Sequence, residues 1–102
     1  MSSKGIARGS GKDTVSTGHQ CDATTTANQC SSDVIINGKG ACRLGDTITI
    51  HNHKVGDSCV PHTASITSAS SSVFVNGIAI ARDTDSADSG SISSGSTDVF
   101  AG

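Results

Sequence analysis

Ser32-Asp33-Val34-Ile35-Ile36-Asn37-Gly38-Lys39-Gly40-Ala41-Cys42-Arg43 returns as Ser71-Ser72-Val73-Phe74-Val75-Asn76-Gly77-Ile78-Ala79-Ile80-Ala81-Arg82, at an offset of 39 residues. Each copy reads as a β-hairpin. A β-branched or aromatic triplet runs into Asn-Gly, whose two residues accept the positive φ that a tight hairpin turn needs. The second half of the phrase stands alone near the start, at Lys4-Gly5-Ile6-Ala7-Arg8. Its first half stands alone at the end, at Ser96-Thr97-Asp98-Val99-Phe100-Ala101-Gly102. Bringing the two ends together would complete a third copy, so the chain predicts an object with threefold pseudosymmetry.

Around these phrases the composition is that of a chain with a poor core. Of 102 residues, 33% are hydrophobic and 2% aromatic, with no Trp and no Tyr. We read residues 1–102 as a single domain of all-β class. A domain this small and this polar needs a staple, such as a metal, disulfides or a partner. The net charge of −2, without a basic run, argues against nucleic acid as a target. The opening Met1-Ser2-Ser3-Lys4 lacks the apolar stretch of a secretory leader, and no run approaches a bilayer span. The expectation is a chain made in the cytoplasm, with its four cysteines as thiols or metal ligands until an exported particle meets oxidant.

Further strands follow from alternation. Ile78-Ala79-Ile80-Ala81-Arg82 alternates large and small residues, and Thr47-Ile48-Thr49-Ile50-His51 predicts Ile48 and Ile50 inward with Thr47, Thr49 and His51 on the opposite face. Asp22–Gln29 is the best helical stretch, but its three threonines weaken it and it reads as loop. Long loops are expected over 13–30, 51–64 and 84–95.

Those loops carry the chemistry. His19 lies eleven residues after Arg8, His62 eleven before Val73 and Asp88 eleven before Val99, so related places in successive repeats hold potential ligands. The candidate set is His19, Cys21, Cys30, Cys42, His51, His53, Cys59, His62 and Asp88, side chains of the kind that zinc or iron takes from converging segments. Within it His53 reads as a solvated loop residue and Cys42 as a small buried hydrophobe. Cys21 and Cys30 could pair after oxidation. Asp83-Thr84-Asp85 with Asp88 lacks the glycine and terminal Glu of a calcium hand. No Gly-x-Ser-x-Gly elbow occurs, and enzyme activity is not expected.

Asn37-Gly38-Lys39-Gly40-Ala41-Cys42-Arg43-Leu44-Gly45-Asp46 and Asn76-Gly77-Ile78-Ala79-Ile80-Ala81-Arg82-Asp83-Thr84-Asp85 resemble the PAAR-repeat family, whose wording is Asn-Gly, a spacer, Pro-Ala-Ala-Arg and Val-Gly-Asp. The prolines are missing here; Pro61 is the sole proline. The opening Thr17-Gly18-His19-x-Cys21 and the ending 95–102 look like phage-type members. The resemblance implies a small three-sided β-pyramid (a cone) with a metal near its apex. It implies a structural tip, one per trimeric β-helical spike, that sharpens a contractile phage tail and makes transient contact with the target envelope. Such a tip would be assembled into a virion baseplate, or secreted with a type VI spike in the alternative setting. It also implies one zinc ion, with iron as the second choice, held by His19, His51 and His62. Asp88 stands where the family has cysteine, and Cys59 or Cys21 is an alternative fourth ligand. The spike would be met by Val34, Ile35, Ile36, Val73, Phe74, Val75, Val99 and Phe100, which ordinary core packing would explain equally well. Two other classes of function compete: a small metal-dependent envelope hydrolase, and a binding module with a flat Thr- and Ser-rich face.

Overall fold

The structure, a computed structural model, describes residues 3–102; Met1 and Ser2, with which the single domain read over 1–102 begins, lie outside the described residues. The described chain is all-β, without a helix. Its strands are β1 (Lys4–Gly5), β2 (Thr14–Ser16), β3 (Thr24–Thr26), β4 (Ile35–Ile36), β5 (Lys39–Gly40), β6 (His51–Val55), β7 (Ser58–His62), β8 (Phe74–Val75), β9 (Ile78–Ala79), β10 (Ser86–Ala87), β11 (Gly90–Ile92) and β12 (Phe100–Ala101). Together they fill a body of 41 × 28 × 22 Å.

The repeated phrase folds as its residues dictate. β4 pairs with β5 and β8 with β9, through turns in which Asn37 and Gly38 hold φ of 52° and 83° and Asn76 and Gly77 hold 54° and 76°. The two half-phrases find each other across the whole chain. β1 pairs antiparallel with β12, Lys4 opposite Ala101 and Gly5 opposite Phe100. The third hairpin thus exists without a connecting turn.

Threefold equivalence continues down to single bonds. The Ala7 N–H donates to the Ala81 carbonyl (3.0 Å), the Ala81 N–H to that of Cys42 (2.8 Å), and the Cys42 N–H to that of Ala7 (2.9 Å), closing a ring. In each of the three segments the residue after the ring is an arginine that folds back on an aspartate. Arg8 grips Asp13, Arg43 grips Asp46 and Arg82 grips Asp85, each through its backbone N–H, Nε and Nη2. Such forked, charge-assisted pairs fix geometry as well as charge. The burial of Asp13 and Asp85 alone would raise their carboxyls, but the bonds from Arg8 and Arg82, with help from Ser94 and Ser68, outweigh it and hold both below the usual range. Three buried serines start the three hairpins. Ser31 Oγ accepts from the Asp33 and Val34 amides, Ser70 Oγ from Ser72 and Val73, and Ser96 Oγ from Asp98 and Val99.

The ring divides two small cores. On one side Ile6, Ala41 and Ile80 pack with Val75 and Ala101, and Val34, Ile36 and Val99 close over them. On the other side Ala7, Cys42 and Ala81 pack with Val15, Ala27, Ile48, Ile66, Ala87 and Ile92. The alternation of Ile80 and Ala81 has its explanation here. The return segment passes through the middle of the molecule, so both of its faces are buried, one against each core.

Three expectations are corrected. Ile50 is 61% exposed, while Ile48 and His51 are buried. The extended run breaks at Thr49, whose amide bonds the Thr26 carbonyl, and the chain resumes as β6 with its alternation reset. The three long segments contain strands. β2 and β3 lie in a four-stranded sheet of order β10-β11-β2-β3, and β6 with β7 makes a hairpin turned by Gly56-Asp57. Thr24–Thr26 are β-branched residues that suit a pleated surface, and they find strand partners instead of staying in a loop. These strands are rich in Ser, Thr and His and hold only isolated apolar residues, so hydrophobic alternation does not reveal them.

Candidate metal centre

Beyond the second core, four segments converge. Ile48 and Ala64 lead into β6 and out of β7, whose facing pair is His51 opposite His62. Ala87 leads into the β10–β11 turn, where Asp88 holds φ of 57°. Val15 leads through Thr17 to His19. The wholly buried Thr17 hydroxyl donates to the Asp22 carbonyl and accepts from the His19 amide (3.1 Å), which sets the loop that presents the imidazole.

The four side chains meet at one point. Asp88 Oδ2 lies 2.8 Å from His19 Nε2 and 2.7 Å from His51 Nε2, and Oδ1 lies 3.3 Å from His62 Nε2. The four ligand atoms all fall within 4.8 Å of one another. Burial alone would raise the Asp88 carboxyl; the bonds from His51, His19 and His62 outweigh it and hold it below the ordinary carboxylate range.

His51 reveals what the cluster asks for. Its Nδ1 is 2.8 Å from the Thr49 carbonyl, an acceptor, so Nδ1 carries a proton. With Nδ1 so engaged, His51 Nε2 is left facing a carboxylate oxygen at 2.7 Å, a pairing satisfied by a proton on Nε2 or by a metal ion that both atoms share. A carbonyl that orients the far nitrogen of a ligating histidine is a recurrent support of metal sites. Ring spacing tells the same story. An imidazole bound to zinc at about 2.0–2.1 Å puts its centroid about 3.2 Å from the ion, so two rings at the tetrahedral angle stand about 5.2 Å apart. The three pairs among His19, His51 and His62 stand 5.3, 5.2 and 5.1 Å apart. Their nitrogens and Asp88 can hold one metal ion. Four protein ligands would close its coordination, the arrangement of structural rather than hydrolytic sites.

His53 is not among the four, but it does not stand free in solvent either. It follows His51 on the same face of β6, half-buried, with its ring 4.5 Å from that of His62 and 5.6 Å from that of His19. All four histidines of the chain therefore share one cluster.

The cysteines correct the sequence reading most. Cys21 is bonded to Cys59, with Cα atoms 6.0 Å apart, and Cys30 to Cys42, at 4.7 Å, both within the span a disulfide bridges. Cys21 and Cys59 are thereby removed as fourth ligands, Cys21 does not pair with Cys30, and the buried Cys42 is a crosslink. A clue to the pairing was present: Cys21 follows His19 by two residues and Cys59 precedes His62 by three, so segments that bring these histidines together also approach at their cysteines.

The eight expected docking residues separate into two groups. Val75 is in the first core, and Val34, Ile36 and Val99 pack on it. Ile35, Phe74 and Phe100 are 54%, 58% and 53% exposed, with Val73 beside them. Successive strand residues face opposite ways, so the middle member of each triplet is the one turned most fully outward. These three middle members are repeat equivalents.

No known protein-family model matches the chain, and no curated protein matches it in sequence.

Proposed function

We propose that this chain is the tip of a trimeric β-helical spike of a contractile phage tail. It would cap one end of the trimer and meet the target envelope with the other. The observation that carries the reading is the set Ile35, Phe74 and Phe100: three large apolar side chains, each more than half exposed, at equivalent positions of three hairpins around a closed threefold ring. Such a face on a single chain suits a true trimer, whose open strand ends need a cover. The resemblance of the repeated Asn-Gly phrases to the PAAR family points the same way.

The role is structural. A narrow body has little interior to bury, and a bound ion contributes folding free energy that apolar packing there does not supply. We assign the ion as zinc, with iron second, held by His19, His51, His62 and Asp88. When bound, it ties four segments together as a closed Lewis-acid centre.

The test is stoichiometric binding to a purified trimeric β-helical spike, read by native mass spectrometry and calorimetry. One chain per trimer is expected. Phe74→Ala and Phe100→Ala should each weaken binding about 5- to 10-fold, from roughly 1 kcal/mol of apolar burial lost per ring already half buried. Absence of binding at micromolar concentrations would overturn the proposal.

A further inference from the structure

We infer that the Cys21–Cys59 disulfide is a redox latch on the metal centre: oxidised, it holds the ion; reduced, it lets the ion go. The inference rests on the metal reading above and adds the control of that site.

Three features carry it. Both cysteines lie on ligand-bearing segments, two residues from His19 and three from His62. The segment that carries His19 is otherwise hydrogen-bonded to the β6–β7 hairpin at one pair of residues: Asp22 Oδ2 accepts from the Asn52 amide (2.7 Å) and Nδ2 (3.1 Å), and the Asp22 amide donates to the Asn52 carbonyl (3.3 Å). The disulfide and the ion are thus two clamps across the same gap. Finally, the two disulfides differ in access. Cys59 is exposed on a hairpin whose residues 54–61 all face solvent, whereas Cys42 is fully buried inside the threefold ring. The second disulfide is reached only through the half-buried Cys30, so a reductant opens the clamp at the metal centre first.

The alternation of β7 keeps the latch separate from the ligands. His62 and Val60 share the face that carries the centre, and Cys59 and Pro61 lie on the other. Opening the bond therefore removes no ligand. It frees the His19 segment from the hairpin, and His62, whose 3.3 Å contact to Asp88 is the longest of the three, loses its nearest covalent support. The step is a two-electron exchange. A dithiol reductant attacks, the Cys21–Cys59 S–S bond breaks, two protein thiols form with two protons, and the reductant leaves as its own disulfide. A chain made with reduced thiols would hold its ion loosely and lock it on meeting a disulfide oxidant.

The experiment uses the full chain loaded with zinc, with release followed into excess chromogenic chelator. Release is compared for oxidised protein, for protein mildly reduced so that only Cys21 and Cys59 alkylate, and for the C21S/C59S and C30S/C42S variants. Opening Cys21–Cys59 should speed release about 10- to 100-fold, as does loss of an outer support of a metal ligand. C30S/C42S should leave the rate unchanged. Linkage requires the converse: zinc should lower the reduction potential of Cys21–Cys59 by about 30–60 mV, the same factor at 29.6 mV per decade. That measurement needs no variant to fold. Equal release rates before and after reduction, or a potential indifferent to zinc, would overturn the latch and leave the metal reading intact. Oxidised protein that takes up no zinc would overturn both.

Discussion

Stripping the metal from this protein should lower its melting temperature steeply without unfolding it at room temperature. The geometry sets the size of the effect. The three imidazoles already stand 5.1–5.3 Å apart, the spacing that one tetrahedral ion requires, so binding asks chiefly that the Asp88 carboxylate, now 2.7–2.8 Å from two of their nitrogens, draw back by about half an ångström. With free zinc at about 1,000 times its dissociation constant, mass action contributes about 4 kcal/mol to the folded state. For a domain of about 100 residues each kcal/mol moves the midpoint by about 4–8 °C, so a chelator should cost about 15–30 °C. The apo chain remains folded because two crosslinks remain. By chain entropy, loops of 38 and 12 residues are worth about 4 and 3 kcal/mol. The assay is calorimetry of the oxidised protein, as purified, after chelation, and after zinc is restored. His51→Ala should reproduce the chelated midpoint and make it insensitive to zinc. A midpoint unmoved by chelator and by His51→Ala would refute the reasoning. So would a chelator effect that survives His51→Ala undiminished, which would put the ion elsewhere.

Three further outcomes follow from the fold. Thr84 holds φ of 77° where its repeat equivalent is Gly45 at 88°; a β-branched residue there is strained by about 1–2 kcal/mol, so Thr84→Gly should raise the melting temperature by a few degrees after the entropy cost of glycine, and a fall would contradict the equivalence. Gly40→Ala should destabilise by several kcal/mol in urea titration, because a Cβ there would overlap the Ser31 carbonyl oxygen, which is backbone and cannot step aside. Asp13 and Asp85 have carboxyls held below their ordinary 3.8, so their contribution is complete above that value and is lost as pH falls through the lowered ones. Acid titration followed by circular dichroism should show that loss, and Asp85→Asn should be less stable at neutral pH with a shallower acid limb.

The β-class, the two Asn-Gly hairpins and the split third copy were all legible in the amino-acid order. These are local matters: a turn needs positive φ, a strand prefers branched side chains, and a repeat shows itself at any distance. His19, His62 and Asp88 were also within reach, because repeat register is written in the chain; His51 came from the family resemblance. Much else depended on which segments meet. The β2, β3, β6, β7, β10 and β11 strands are mostly polar, with isolated apolar residues such as Val15, Ala87 and Ile92, so no apolar alternation marked them until their partners supplied hydrogen bonds. Cysteine pairing depends on Cα separations of a few ångströms, which residue types do not encode, and Cys21 met Cys59 because the segments of His19 and His62 meet. His51 turned inward, against its alternation, because the Thr26–Thr49 contact interrupts the strand. The sequence by itself determined a threefold set of hairpins and pointed to candidate ligands in the loops between them. Only the tertiary structure decided that Ile35, Phe74 and Phe100 are turned outward and that a disulfide joins the segments of His19 and His62, because both are relations between surfaces that share no stretch of chain.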